Sequence, residues 1–259
     1  MPPGLQDELV RAWRSYWGAA LSFHLVQLPS FNYTEFLWIY ESPLGQMRLS
    51  QQATASDLPG VTRAVTIDLA DLRSPYTSVH NRQKQEVARR VALNALATAY
   101  HRAPINTGPV VAGVAFWRAQ HDLLVRVSSA LPGVGTFNGS AGCVACCEQS
   151  PFEIETETAT ARRRDGVTGP REHGTPAATS WARVTAGTPF QSNGPGVNIP
   201  VRVGAATPLA IRYGYDADVQ CVYFDADGLP LAPFALGIAH GIAHGIAQVP
   251  LRRTSSGQD

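Results

Sequence analysis

The 259 residues carry 21 Lys plus Arg against 20 Asp plus Glu, a net charge of +1, so no field draws the chain to nucleic acid or to an anionic membrane. Charged residues make up only 16% while Gly and Pro number 23 and 19, which favours a loop-rich fold with much β structure. No apolar run is long enough to span a bilayer, and the start MPPGLQDELVRAW is polar and amphipathic, so no signal peptide is expected in this chain.

Leu5, Leu9, Trp13 and Trp17 share one helical face, with Asp7 and Glu8 near the start and Arg11 and Arg14 further along. The spacing predicts an amphipathic helix whose aromatic stripe lies in the core. Ser22 to Leu28 reads as a strand, with His24 as a packed or edge histidine. Residues 29–46 are irregular and aromatic (Phe31, Tyr33, Phe36, Trp38, Tyr40), and Met47 to Ala55 reads as a helix.

Ala64 to Leu69 is a short apolar, β-branched run, predicted as a buried strand. A polar loop with Asp68, Asp71, Ser74, Pro75 and Ser78 follows, then His80. Ala88, Ala92, Leu96 and Tyr100 then recur every fourth residue, the pattern of a helix. In an open α/β sheet this order puts His80 at the carboxyl edge of the strands, where such folds hold ligands. A histidine there exchanges protons near neutral pH, and a carboxylate beside it fixes its tautomer and stabilises its charged form.

At His101-Arg102-Ala103-Pro104 the helical pattern stops. Val110 to Trp117, Asp122 to Ser128, Ile199 to Val203, Leu209 to Tyr215 and Val219 to Phe224 are alternating or apolar runs separated by Gly and Pro, the signal of an antiparallel β-sandwich. Residues 157–180, with Arg162-Arg163-Arg164, are predicted to form a disordered insertion. The tail from Gly237 to Ala247 repeats Gly-Ile-Ala-His, and glycine every fourth residue disfavours a helix that could aim the histidines at a metal. The expected organisation is a partial α/β domain over 1–103, a β-sandwich domain over 104–236 and a low-complexity tail over 237–259.

Cys143, Cys146, Cys147 and Cys221 lack the second pair or matched histidines that a zinc site needs. A disulfide joining the first cluster to Cys221 is expected, with the connectivity left open. Asn32-Tyr33-Thr34 and Asn138-Gly139-Ser140 are glycosylation sequons. No cofactor and no metal is expected.

The run Ile67-Asp68-Leu69-Ala70-Asp71, Ser74-Pro75-Tyr76, Ser78-Val79-His80, then Arg82 and Lys84-Gln85, resembles the last catalytic block of sialate O-acetylesterases, serine esterases of the SGNH-hydrolase class. The helix-to-strand passage containing Trp13 and Val26-Gln27-Leu28 is similar to the same family, as are Arg48 with Gln51, Thr107-Gly108-Pro109 and Phe152-Glu153-Ile154. The most specific match outside the catalytic block is Arg212-Tyr213-Gly214-Tyr215 followed by Gly228-Leu229-Pro230-Leu231-Ala232-Pro233-Phe234, read as structural. The resemblance implies the C-terminal part of a three-layer α/β/α SGNH-type domain followed by an antiparallel β-sandwich domain.

It also implies a carboxylic ester hydrolase that removes O-acetyl groups from sialic acid or a related sugar, secreted or lysosomal in its full-length form. The aromatic stretch at 29–46 then either borders the cleft or packs as a loop on the sheet. His80 takes the histidine role in a Ser-His-Asp set, and Asp71 on the loop orients it in preference to Asp68, the alternative, which continues the strand alternation and is open to sheet-edge hydrogen bonds. The family usually has Pro after the histidine and an acidic residue where this chain has Arg73. Here Asn81 is predicted to cap the helix, with Arg82 starting it. No nucleophilic serine block precedes the histidine in this chain. Ser192, in Gln191-Ser192-Asn193-Gly194, resembles the family's nucleophile block but follows His80 in chain order. The chain alone is therefore expected to be inactive. The alternative function is a non-catalytic carbohydrate-binding or interaction protein that retains the β-sandwich.

Overall fold

A computed structural model describes residues 4–31, 44–71, 74–76, 80–102, 107–117, 122–128, 138–139, 150–157, 179–187, 190–191, 196–204, 207–217, 219 and 221–238. It is a mixed α/β structure in which the described helices all precede residue 99 and every described strand pairing after residue 107 is antiparallel. The first part runs α1 (Leu5–Trp17), β1 (Phe23–Val26), α2 (Leu44–Asp57), β2 (Val61–Ala64) and α3 (Lys84–Thr98). β1 and β2 are parallel, from Phe23 opposite Val61 to Val26 opposite Ala64, and α2 supplies the crossover that parallel strands require. Val10, Leu58 and Val61 close a small core with Phe23, Leu25 and Ala55.

The second part contains β3 (Val110–Trp117), β4 (Asp122–Ser128), β5 (Asn138–Gly139), β6 (Phe152–Glu157), β7 (Thr179–Arg183), β8 (Phe190–Gln191), β9 (Val197–Arg202), β10 (Pro208–Tyr213), β11 (Cys221–Val222) and β12 (Phe234–Gly237). They form two four-stranded sheets, β3-β4-β9-β8 and β12-β10-β6-β7, and a small β11-β5 pair. Alternation sends Leu123, Val125 and Val127 of β4, Ile199 and Val201 of β9, Phe152 and Ile154 of β6, and Ile211 and Tyr213 of β10 into one shared core. Each large apolar side chain so buried contributes about 1.5–3 kcal/mol relative to exposure. Tyr213 stacks on Phe234 with ring centres 5.7 Å apart, and its hydroxyl accepts the Tyr223 amide at 3.0 Å, so the buried phenol keeps a polar partner.

Several sequence expectations are corrected. The run Ala64 to Leu69 is buried, but the strand lies at Val61–Ala64, and residues 65–71 are an irregular buried segment carrying a turn. An apolar run signals burial, and here Val65 and Ile67 pack with Val219, Val222 and Ala232 instead of joining a ladder, while Leu69 is also buried. α1 buries only Val10; Leu5, Leu9, Trp13 and Trp17 are exposed. α3 buries Arg90 and Asn94, with Arg90 paired to Asp68 of the segment after β2, while Leu96 and, just beyond the helix, Tyr100 are exposed. Its N-cap is Gln83, two residues later than expected, with no side-chain capping bond, and Asn81 is buried with its Oδ1 unpartnered. Of Val219 to Phe224, the described residues contribute the two-residue β11 and a bridge from Phe224 to Pro230. The ends of the expected insertion, Glu157 and Thr179-Ser180, lie in β6 and β7, and 158–178 lie outside the described residues.

The two parts are joined through Arg48 on α2, which is fully buried. Its Nε donates to the Leu28 carbonyl at 2.9 Å, Nη1 to Gly214 and Asp216 at 3.2 and 2.5 Å, and Nη2 to Pro29 and Ala217 at 2.7 and 3.1 Å. One planar fork thus ties the carboxyl end of β1 to the turn after β10. Two glycines allow that approach. A Cβ at Gly45 would overlap the Tyr215 carbonyl, and one at Gly214, whose φ is +62°, would lie 2.7 Å from Ile67 Cδ1.

Candidate active site at the carboxyl ends of the parallel strands

The chain leaves β2 at Ala64 and runs through Thr66, Ile67 and Asp68 beneath the end of β1. Thr66 Oγ1 donates to the Gln27 carbonyl, and Ser30 Oγ donates to the Ile67 carbonyl at 2.8 Å. Phe31 N bonds the Ala217 carbonyl at 2.9 Å, so the turn after β10 walls the same edge. Residues 74–76 and 80–83 then carry the chain to α3.

His80 is exposed, and its Nδ1 lies 2.7 Å from the carbonyl oxygen of Tyr76. A carbonyl only accepts, so the ring donates from Nδ1, and in the neutral imidazole the lone pair sits on Nε2. That is the tautomer a general base needs, and here a backbone oxygen selects it.

The two candidate carboxylates occupy different surroundings. Asp71 takes the Arg82 guanidinium in two bonds, Nε to Oδ2 at 2.7 Å and Nη2 to Oδ1 at 3.0 Å, and Oδ2 also accepts the Arg82 amide at 3.0 Å. It therefore fixes the backbone two residues beyond His80. These hydrogen bonds, and then the charge of Asp71, raise the pKa of Arg82. Asp68 is buried and meets Arg90 of α3 in a second two-pronged pair, Nη1 to Oδ1 at 2.6 Å and Nη2 to Oδ2 at 2.7 Å. Arg90 also donates from Nε to Glu86 at 2.7 Å and from Nη1 to the Val65 carbonyl at 2.6 Å. Burial works to lower the Arg90 pKa, but the hydrogen bonds and charges of Asp68 and Glu86 raise it.

Sequence reasoning did not single out Arg90, although its place four residues after Glu86 was a usable signal of an ion pair. It also missed the carbonyl of Tyr76, which no side-chain pattern encodes. Arg48 and Gln51 do structural work: Gln51 Nε2 donates to the Val26 carbonyl and its Oε1 accepts the Leu28 amide, holding the strand end under the loop.

Arg73, Ser78, Ser192, Asn32, Cys143, Cys146 and Cys147 lie outside the described residues, as do Tyr33, Phe36, Trp38, Tyr40 and the tail histidines. Asn138 lies on β5, opposite Val222 of β11. Cys221, opposite Gly139, is disulfide-bonded. Among the described residues no group of three His, Cys, Asp or Glu could hold a metal ion, and no helix is long and apolar enough to cross a membrane.

No protein-family model matches the chain. Over 109 residues, 36% of this chain and 19% of the other, it is 32% identical to the sialate O-acetylesterase of Mus musculus. Its fold is similar to the crystal structure of a carbohydrate acetylesterase from Xanthomonas citri, with a TM-score of 0.58 and 25% identity, covering 87% of this chain and 44% of that one. The chain thus spans about a fifth and less than half of the lengths of these two relatives, and both comparisons support a resemblance to the carbohydrate acetylesterases.

Proposed function

We propose that this chain is the histidine-bearing part of a serine esterase of SGNH type that removes O-acetyl groups from sialic acid or a related sugar. The observation that carries this reading is the His80–Tyr76 bond, within the block that resembles the acetylesterases. His80 Nε2 takes the proton of a serine as its oxygen attacks the acetyl carbonyl, and returns it to the departing sugar oxygen. Water then repeats the sequence on the acetyl-serine, releasing acetate. Asp71 positions His80 by anchoring Arg82, while Asp68 holds α3 through Arg90.

The nucleophile is assigned to a segment outside these 259 residues, since the relatives are longer and no matching serine block precedes His80. The two antiparallel sheets with their shared core are read as a β-sandwich domain over 104–236, following a partial SGNH domain over 1–103. The disulfide at Cys221 supports a secreted or lysosomal setting.

The engagement of both carboxylates by arginines favours a second reading, a carbohydrate-binding protein without turnover. Steady-state hydrolysis of p-nitrophenyl acetate and of an O-acetylated sialoside separates the two. The 259-residue chain should be no faster than its His80→Ala variant. A longer form carrying a Gly-Gln-Ser-Asn-type block should turn over and lose that activity on His80→Ala. Sugar binding by the longer form with no turnover would establish the second reading. His80-dependent turnover by the 259-residue chain alone would place the nucleophile inside it, and Ser192 would be the first residue to replace.

A further inference from the structure

β3 is an outer strand of the sheet β3-β4-β9-β8, and among the described residues no strand lies on its far side. An open strand edge presents backbone N–H and C=O groups in register, so what it takes is another extended strand. Folded chains commonly blunt such an edge with shortness, a charge, a proline or a bulge. The other outer strands of the two four-stranded sheets follow that rule: β8 and β12 have two and four residues, and β7 carries Arg183. β3 has eight residues, VVAGVAFW, with neither a charge nor a proline. Its register shift between Val111 and Gly113 leaves 113–117 as a regular stretch in which Ala115 and Phe116 are exposed, the latter by 40%. We infer that this stretch is an interface between two copies of the chain, with β3 paired antiparallel to β3 of a second copy about a two-fold axis at Ala115.

The register argues for a second copy as the occupant. Ala115 is the midpoint of 113–117, so an axis there pairs the whole regular stretch and stops short of the irregularity at Val111. Each Val114 then stands opposite Phe116 of the second copy, an aromatic against a β-branched residue, which is a favourable cross-strand pair. Val114 packs against the shared core, and alternation puts Phe116 on the same face, so the two pairs carry the core of one copy into that of the other. A slip of one residue would turn the core face of the second copy to the opposite side, which ties the register to this axis. A strand that pairs with itself sets any charge near its own kind, and no charged residue occurs in 103–117. The small Ala115 lets the two backbones meet at the axis. The contact uses the same patch on both copies, so it closes at two chains and joins two four-stranded sheets into one of eight.

Sedimentation equilibrium on the 259-residue chain over a wide concentration range tests this. The expected result is a concentration-dependent rise to twice the 27.8 kDa chain mass. Ala115→Lys and Ala115→Glu should each hold the mass at one chain with an unchanged circular dichroism spectrum, because the axis sets position 115 of one copy against position 115 of the other and like charges meet there. An equimolar mixture of the two variants should recover the two-chain mass, a result that general damage to the sheet would not produce. A mass of one chain at every concentration, a dimer that survives Ala115→Lys, a mixture that stays at one chain, or growth beyond two chains would overturn the inference.

Discussion

Asp68→Asn tests the proposal that Asp68 holds the fold through Arg90 while Asp71 serves the histidine loop. The change keeps the side-chain shape, removes one charge, and leaves the Arg90 guanidinium, its side chain 5% exposed, facing a neutral amide. Removing one member of a buried pair costs about 3–5 kcal/mol, because the other charge stays desolvated without its counterpart. Arg90 keeps Glu86 and the Val65 carbonyl, so the lower end, about 3 kcal/mol, is expected. For a chain of this size that corresponds to a fall in Tm of roughly 6–12 °C. Asp71→Asn should cost clearly less, since its partner Arg82 is exposed and only the loop end is loosened. Urea unfolding followed by tryptophan fluorescence measures both, and Asp68→Asn combined with Arg90→Met should recover most of the loss by replacing the pair with apolar packing. An Asp68→Asn cost below about 1 kcal/mol, or a larger cost for Asp71→Asn, would refute the assignment of Asp68 to structure.

Acidification should destabilise the chain in two windows. Burial lowers the His24 pKa from 6.5, so the unfolded chain binds that proton first and stability falls as pH drops below 6.5; His24→Gln should flatten this part of the curve. The Arg89 hydrogen bond, opposed by desolvation and aided by Arg90, lowers Glu86 below 4.5, so stability is lost as pH falls from 4.5 through the lower folded value, and Glu86→Gln should flatten that limb. Urea midpoints against pH check both, and unchanged slopes would refute them. Non-reducing peptide mapping should link Cys221 to a peptide containing Cys143, Cys146 or Cys147; a free Cys221 thiol in oxidised material would refute that pairing.

The strands of the second part were legible because period-two alternation survives wherever one face is buried, as at Leu123, Val125 and Val127. The helices were located but their faces were misread. Amphipathicity says which face is apolar, not what covers it, and on α1 the apolar face is exposed while on α3 buried Arg90 and Asn94 face inward. The segment 65–71 was misread for a related reason, since burial of alternate residues does not require a ladder. His80 was legible as a motif, but its hydrogen-bond partner is the backbone of Tyr76, and a main-chain contact leaves no mark on residue choice.

The Arg-Tyr-Gly-Tyr run at 212–215 shows how a motif outside the site nevertheless shapes it. Arg212 pairs with Glu153 and lies between the rings of Trp181 and Tyr215, 4.1 and 3.9 Å from their centres. Tyr213 enters the shared core, Gly214 takes the positive φ that lets the chain pass Ile67, and Tyr215 closes on Gly45 at the start of α2. The carbonyls of Gly214, Asp216 and Ala217 are thereby aimed at Arg48, whose remaining bonds hold Leu28 and Pro29 at the end of β1. Phe31 then bonds Ala217, and Ser30 bonds Ile67, one residue before Asp68. The antiparallel sheets thus fix the height of the loop that leads to His80. A substitution at Gly214 or Arg48 would therefore reach the segment carrying Ile67 and Asp68 through this chain of backbone contacts.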